Sequence, residues 1–350
     1  MQGSVITCLG ATLASKELPF NPLHPIQFVL NQKMQSLTDK GSLTAVSGST
    51  AKPAAPDTIR FRVFFALAGL LALCFALPIY GVVRLALGTE IHSHILLIPL
   101  ISLYLLNLRR AELPKTEAGP IGLCLAGAVL PVALLITPLI FPMIGTSEIL
   151  SLRMLAAWML LLLLTAAVLG APFFRAVIFP LFYLIFAIPL PNSVIDVLET
   201  LSKIASTEAY AAMMDLTQST YLRNGFVFAL PGLTIEVAQE CSGIRSSLVL
   251  FIVAILAANL FLTSTWRRVL FCLFVIPLGI LRNGFRIWTL SFLSVQWDPS
   301  VIHSPLHHKG GPLFFALSLL PFCLVLAWLR KSELHRRLKA GPSAPGAPTT

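Results

Sequence analysis

"VLFCLFVIPLGILRNGFRIWTLSFLSV", residues 269–295, is a long apolar run with only two charged side chains, Arg282 and Arg286. A run of about 20 apolar residues is long enough to cross a bilayer as a helix. A charged side chain inside such a helix costs roughly 2.5–3.5 kcal/mol even on the lowest experimental scale, and it usually faces the bundle interior. The stretch therefore predicts a membrane helix. Its arginines either line a functional site, reach the headgroups, or hold helices together through backbone carbonyls.

The composition of the whole chain agrees with this prediction. Only 11% of the 350 residues are charged and 56% are hydrophobic, whereas soluble domains carry about 25% charged residues. A soluble globular protein is therefore excluded, and we expect an all-α polytopic membrane protein with about eight transmembrane helices. The predicted spans are 61–82, 92–108, 121–141, 154–174, 176–191, 245–262, 269–295 and 311–329.

The basic residues orient these spans. If the basic tail after the eighth span is cytoplasmic, 17 of the 25 Lys and Arg residues fall inside, in agreement with the positive-inside tendency. We therefore predict that both termini are cytoplasmic. The net charge of +10 is then a consequence of topology, and no nucleic-acid partner is expected. This orientation places the 192–244 loop, the 296–310 loop and the end of the 269–295 span on the outer side.

The long outer loop has structure of its own. Residues 193–216 space apolar side chains at helical intervals and predict an interfacial helix. The segment "GFVFALPGLTIEV" predicts a small β-hairpin before the sixth span, with a type II turn at Pro231-Gly232. The predicted organisation is a disordered cytoplasmic extension over 1–59, a transmembrane domain over 60–330 and a cytoplasmic basic tail over 331–350.

A single cysteine, Cys241, precedes the sixth predicted span in "VAQECSGIRSSLVLF", residues 237–251. The positive end of a helix dipole favours the thiolate, which is the nucleophilic form of cysteine. A small buried structural cysteine is equally consistent with this position alone. The six cysteines include no Cys-x-x-Cys pair, so neither a cysteine-type zinc site nor a disulfide-exchange enzyme is expected.

Histidines cluster in the last outer loop, "SVIHSPLHHKGGPLFF", where His307 and His308 directly precede the eighth span. Histidine transfers protons near neutral pH, although each of these could also be a solvated loop residue. A metal site is a weaker interpretation, because no His-x-x-x-His pair occurs. The predicted topology brings this loop to the same face as Cys241 and Arg286. A thiolate, an imidazole and a guanidinium together suit acyl transfer at a peptide bond.

These residues resemble the motifs of the exosortase/archaeosortase family of membrane-embedded cysteine transpeptidases, in its exosortase branch. The Cys-Ser-Gly, Asn-x-x-Arg and His-x-x-x-Gly boxes of that family correspond here to "ECSGIRSS", "NGFR" and "HHKGG". The resemblance extends from about Leu181 through the eighth span. It implies that Cys241 is the nucleophile, Arg286 the catalytic arginine and His307 the catalytic histidine.

This chain departs from the family pattern after the histidine. Family members often have an acidic residue after the histidine and an aromatic residue after the glycine, where this chain has His308 and Pro312. His307 and His308 therefore remain alternatives. We predict supporting or substrate-binding roles for Arg245, Asn283, Arg282, His308 and Glu236.

The resemblance also implies a function. It predicts a cysteine endopeptidase and transpeptidase in the bacterial cytoplasmic (inner) membrane, with its active site on the periplasmic side. Its substrates would be exported proteins with a C-terminal PEP-CTERM-like signal, which consists of a Pro-Glu-Pro-like motif, a transmembrane helix and a basic tail. Cleavage would proceed through a cysteine thioester to an unknown acceptor, with membrane lipid as a further partner and without a cofactor or metal. The alternative is a non-enzymatic membrane protein of exopolysaccharide assembly or transport.

Overall fold

The computed structural model describes residues 56–238, 243–297 and 310–339 of the chain. All of them belong to one compact unit, Ala55–Thr350. Cys241, His307 and His308 lie outside the described residues, as does most of the predicted N-terminal extension. The predicted domain boundaries therefore stay predictions.

The described chain consists of α-helices, three 3-10 helices and one small sheet. The α-helices are α1 (Pro56–Cys74), α2 (Ala76–Gly88), α3 (Ile98–Arg109), α4 (Ile121–Gly127), α5 (Val129–Ile140), α6 (Thr146–Leu169), α7 (Ala171–Tyr183), α8 (Asn192–Leu216), α9 (Ile244–Phe261), α10 (Thr265–Gln296) and α11 (Gly311–Lys339). The 3-10 helices are Glu90–Leu97, Arg110–Glu112 and Leu184–Ala187. The strands are β1 (Leu222–Asn224), β2 (Val227–Leu230) and β3 (Leu233–Glu236).

The predicted all-α polytopic membrane fold is confirmed. Within the described ranges, six helical segments are long and apolar enough to cross a membrane, and the number reaches eight if each of two bent helix pairs is one span. The first bent pair, α1 and α2, turns by 68° where the sequence predicted one span over 61–82. The second pair consists of α7, with the 3-10 helix that follows it, and α8, and it turns by 88°.

The second bend follows from the sequence "IPLP", residues 188–191. Proline has no N–H for a helix hydrogen bond, and it pushes the preceding residue towards extended conformations. The helix therefore stops at Ala187, and Pro191 becomes the N-cap residue of α8. This sharp turn fits the interfacial helix that the sequence predicted over 193–216.

Helix α8 packs along α10, the longest helix of the described chain. The two helices are in close contact at Gly284, where an added Cβ would lie 2.8 Å from the Cβ of Ala209. A larger residue at Gly284 would push the helices apart. The buried face of α8 consists of Ser206, Thr207, Tyr210, Ala211 and Met214.

The predicted hairpin is confirmed, and it has a third strand that was not predicted. The antiparallel order is β1-β2-β3. The turn between β2 and β3 is Pro231-Gly232, and Gly232 has a φ of 77°, as the third position of a type II turn requires. The strand β1 is only three residues long and fully exposed, so it carries no alternating apolar pattern.

The sheet is fastened to α8 by a buried aromatic pair and by exposed polar contacts. Phe228 of β2 is fully buried, and its ring lies edge-on to that of Tyr210 with the ring centroids 4.7 Å apart. The Tyr221 hydroxyl donates a hydrogen bond of 2.7 Å to Asp215, and this raises the pKa of the tyrosine. Arg223 donates to both carboxylate oxygens of Glu208, which raises the pKa of the guanidinium. These contacts hold the sheet against α8, and Ile287 of α10 belongs to the same buried cluster as Phe228.

Helices α9 and α11 pack around the N-terminal half of α10. Leu250 of α9, Phe271 of α10 and Phe322 of α11 belong to one buried cluster, and the rings of Phe271 and Phe322 lie 4.9 Å apart. Helix α10 therefore contacts α8, α9 and α11 along its length. Helix α10 also contains the Asn-x-x-Arg box, so the helices packed against α10 form the surroundings of that box.

Candidate active site

The last residue of the Cys-Ser-Gly box, Gly243, lies directly against the Asn-x-x-Arg box. Gly243 is the N-cap residue of α9 and has a φ of 71°. An added Cβ there would lie 2.6 Å from Oδ1 and 2.7 Å from Cγ of Asn283. The backbone conformation and the close contact both disfavour a side chain at this position, so glycine allows the two motifs to pack together.

Arg282 joins the first turn of α9 to α10. Its Nη2 donates to the carbonyl oxygen of Gly243 at 3.2 Å and to Oγ of Ser247 at 3.1 Å. The side chain is buried, and its Nη1 has no hydrogen-bond partner among the described residues. These are the contacts of a residue that holds two helices together through a backbone carbonyl, one of the alternatives that the sequence left open.

Asn283 connects the same place to α8. Its Nδ2 donates a buried hydrogen bond of 3.0 Å to Oγ of Ser206, and the residue is 2% exposed. Asn283 thus contacts the N-cap residue of α9 on one side and α8 on the other. Its side chain is therefore held between α8 and the start of α9, and its predicted supporting role stays a prediction.

Arg286 lies one helical turn beyond Arg282, in the wall of a cavity of about 250 Å³. The residue is half-buried. The cavity lies between the β3 segment and the C-terminal half of α10. Its walls are formed by Thr234, Ile235, Glu236, Val237, Ala238, Asn283, Arg286, Ile287, Leu290 and Ser291. The structure therefore brings Arg286, Asn283 and Glu236 to one cavity. Among the described residues its wall reaches Ala238, three residues before Cys241 in the sequence.

Arg245 is placed differently. It lies in the first turn of α9, is more than half exposed, and forms an ion pair with Glu90 of the first 3-10 helix. It does not belong to the walls of the cavity. Its predicted supporting role stays a prediction.

Three features of this region were not predicted from the sequence. They are the contact of Gly243 with Asn283, the hydrogen bond from Asn283 to Ser206, and the approach of the Glu90 helix to the start of α9. All three join residues that are far apart in the chain. The spacing within each motif contained no signal for them.

No metal centre is found in this part of the chain. Residues 56–238, 243–297 and 310–339 contain no group of three or more His, Cys, Asp or Glu side chains that could hold a metal ion. The polar groups at the cavity among these residues are therefore a guanidinium, an amide, a carboxylate, hydroxyls and backbone groups.

The fold and this cavity define a multi-pass membrane protein with a polar cluster buried against its central helix. A family model described as transmembrane exosortase matches residues 83–324, and the chain belongs to this family. The matched range includes the Cys-Ser-Gly, Asn-x-x-Arg and His-x-x-x-Gly boxes, so the resemblance stated from the sequence is confirmed. No curated protein and no solved structure matches the chain.

Proposed function

We propose that this protein is a membrane cysteine protease and transpeptidase that cleaves the C-terminal sorting signals of exported proteins. The observation that carries the proposal is the packing of Gly243 against Asn283, beside the cavity that contains Arg286. Cys241 precedes Gly243 by two residues, a path of at most about 8 Å between Cα atoms. The proposed nucleophile and the proposed oxyanion-binding residue thus belong to motifs that are in contact.

In the proposed first half-reaction, the Cys241 thiolate attacks the carbonyl carbon of the scissile peptide bond. A C–S bond forms, and the carbonyl oxygen becomes an oxyanion that the Arg286 guanidinium stabilises. The C–N bond then breaks, and His307 or His308 gives its proton to the departing amine. The products are a thioester on Cys241 and the released signal, which contains the transmembrane helix and the basic tail.

In the second half-reaction, an acceptor amine loses its proton to the same histidine and attacks the thioester. The new amide bond forms as the C–S bond breaks, and the thiolate returns to its starting state. Water in place of the amine gives hydrolysis. No step needs a cofactor. The proposal leaves the identity of the acceptor open. Removal of the oxyanion donor, Arg286, is expected to lower the rate by about 10²–10³-fold.

The location of this reaction is part of the proposal. We place the protein in the bacterial inner membrane, with both termini in the cytoplasm and the site on the periplasmic face. The charge distribution of the sequence supports this orientation. The substrates are exported proteins with a Pro-Glu-Pro-like motif, a transmembrane helix and a basic tail.

The direct test is processing of a reporter with such a signal in cells that co-express the full chain. We expect the wild type and Cys323→Ala to process the reporter, and Cys241→Ala to leave it intact. Cys323 is a matched control because it is an exposed cysteine of α11. Unchanged processing by Cys241→Ala would overturn the proposed mechanism. Loss of function in Arg286 variants with full function in Cys241→Ala would favour the non-enzymatic assembly or transport role instead.

A further inference from the structure

The strand β3 has a free edge in the part of the chain that the structure describes. It is the last strand of the sheet and pairs only with β2. The pair Phe228↔Ile235 is followed two residues later by a hydrogen bond of 3.0 Å from Val237 N–H to the Phe226 carbonyl. Hydrogen-bonded and non-bonded pairs alternate in antiparallel sheets. The backbone N–H and C=O groups of Ile235 and Val237 therefore point towards β2. Those of Thr234 and Glu236 point away from the sheet.

This free edge forms one wall of the Arg286 cavity. Five consecutive residues, 234–238, line the cavity. Neighbouring side chains of a strand point to opposite faces, so a face alone would contribute only every second residue. The consecutive series is the pattern expected when the backbone edge borders the cavity. The opposite wall is the C-terminal half of α10.

The size and chemistry of the cavity suit a short stretch of main chain. Its volume of about 250 Å³ lies below the roughly 300–1,000 Å³ of pockets for drug-sized ligands. One wall offers backbone donors and acceptors at Thr234 and Glu236, and the other offers Ile287 and Leu290 next to Arg286. The free edge also continues directly into the sequence that leads to Cys241.

We propose that the substrate binds as a fourth strand on β3, with its main chain between the sheet and α10. This proposal rests on the proposed function and specifies how the peptide is held. Main-chain hydrogen bonds to Thr234 and Glu236 would provide affinity, as in other cases of strand addition to a sheet edge. The peptide would then run in an extended form beside Arg286.

This mode of binding can accommodate a Pro-x-Pro motif in the substrate peptide. Proline has no N–H, and the N–H groups of residues two apart point to the same side of a strand. Both prolines of such a motif can therefore face α10, while the residue between them presents its N–H and C=O to β3. A proline at the middle position would instead remove a hydrogen bond to the edge.

The test is an N-methyl scan of a synthetic substrate with the full chain in lipid nanodiscs. The substrate contains the motif, the apolar helix and the basic tail. N-methylation of the middle residue, or of the one residue two positions away that lies opposite the other outward-facing edge residue, is expected to lower kcat/KM by about tenfold or more, because each loses one hydrogen bond and adds a methyl group at the edge. N-methylation of the intervening non-proline positions is expected to change it by less than about threefold.

A protein-side variant pair tests the same point. Proline is tolerated on an edge strand where its nitrogen faces outward, so Thr234→Pro should fold, with a Tm close to that of Thr234→Ala. We expect Thr234→Pro to lower kcat/KM by about tenfold relative to Thr234→Ala, which keeps the N–H. Equal rates for the two variants would overturn the proposal.

The outcomes of these tests are distinguishable from failure of the proposed function. Cys241-dependent cleavage without an alternating N-methyl pattern would overturn strand addition and leave the enzyme assignment standing. Absence of any Cys241-dependent cleavage of the unmodified peptide would overturn both.

Discussion

Replacement of Gly243 by alanine perturbs the contact between the two motifs directly. A left-handed backbone conformation costs a non-glycine residue about 1–2 kcal/mol, and Gly243 has a φ of 71°. The new Cβ would also lie 2.6 Å from Asn283 Oδ1, so one of the two groups must move by close to 1 Å. A displacement of that size in a catalytic arrangement can cost about 10²-fold in rate.

Gly225→Ala is a matched control that separates the effect of backbone strain from the effect of the contact with Asn283. Gly225, in the turn between β1 and β2, has a similar φ of 62°, and an added Cβ there would meet nothing within 4 Å. Gly225→Ala therefore has the same kind of backbone strain without the collision. We expect both variants to lose about 1–2 kcal/mol of stability, with a further loss of about 1–3 kcal/mol from overpacking in Gly243→Ala alone.

The assay is the initial rate of reporter processing, normalised to the amount of folded protein and read beside thermal unfolding. Gly243→Ala should process the reporter at least about 100-fold more slowly than Gly225→Ala. Equal rates for the two variants would show that the contact with Asn283 does not matter for activity. That result would refute the reasoning that links the two motifs.

Further predictions concern the polar groups around α10. Asn283→Ala leaves the buried Ser206 hydroxyl without its donor and should lower the free energy of unfolding by about 1–3 kcal/mol, measured by thermal or denaturant unfolding in detergent. Arg282→Met removes the donor to the Gly243 carbonyl and to Oγ of Ser247; we expect a loss of about 1–3 kcal/mol in the free energy of unfolding and, per folded molecule, processing slowed by about tenfold or more. Glu333→Gln weakens the acceptor for the Ser264 N–H, which is 2.7 Å away at the start of α10, and should lower the free energy of unfolding by about 1–2 kcal/mol. We expect kcat per folded molecule to stay unchanged, because Ser264 is about 30 Å along α10 from the cavity.

The membrane helices were predictable because their signal is local. A span needs about 20 apolar residues, and this requirement appears directly in stretches such as 269–295. The turn between α7 and α8 also has a local cause, since Pro189 and Pro191 cannot continue a helix. The break at Phe75 was missed because "LALCFALPIY" has no comparable pair of prolines.

The site was predictable only as separate motifs. The sequence indicated Arg282, Asn283 and Arg286 because charged and polar residues inside a span are unusual. It contained no signal that Gly243, some 40 residues earlier, would pack on Asn283, because that contact depends on how α8, α9 and α10 meet. The third strand escaped prediction for a related reason: β1 is held by its partners Val227 and Ala229 rather than by its own pattern.

The most direct test of the central claim is to detect the acyl-enzyme. Full-length protein co-expressed with the reporter should be isolated under denaturing conditions at low pH and analysed by mass spectrometry. The account predicts the N-terminal part of the reporter on Cys241 as a thioester, released by hydroxylamine as a hydroxamate, present in Cys323→Ala and absent in Cys241→Ala. Reporter processing that continues in Cys241→Ala, or an adduct on any residue other than Cys241, would contradict it.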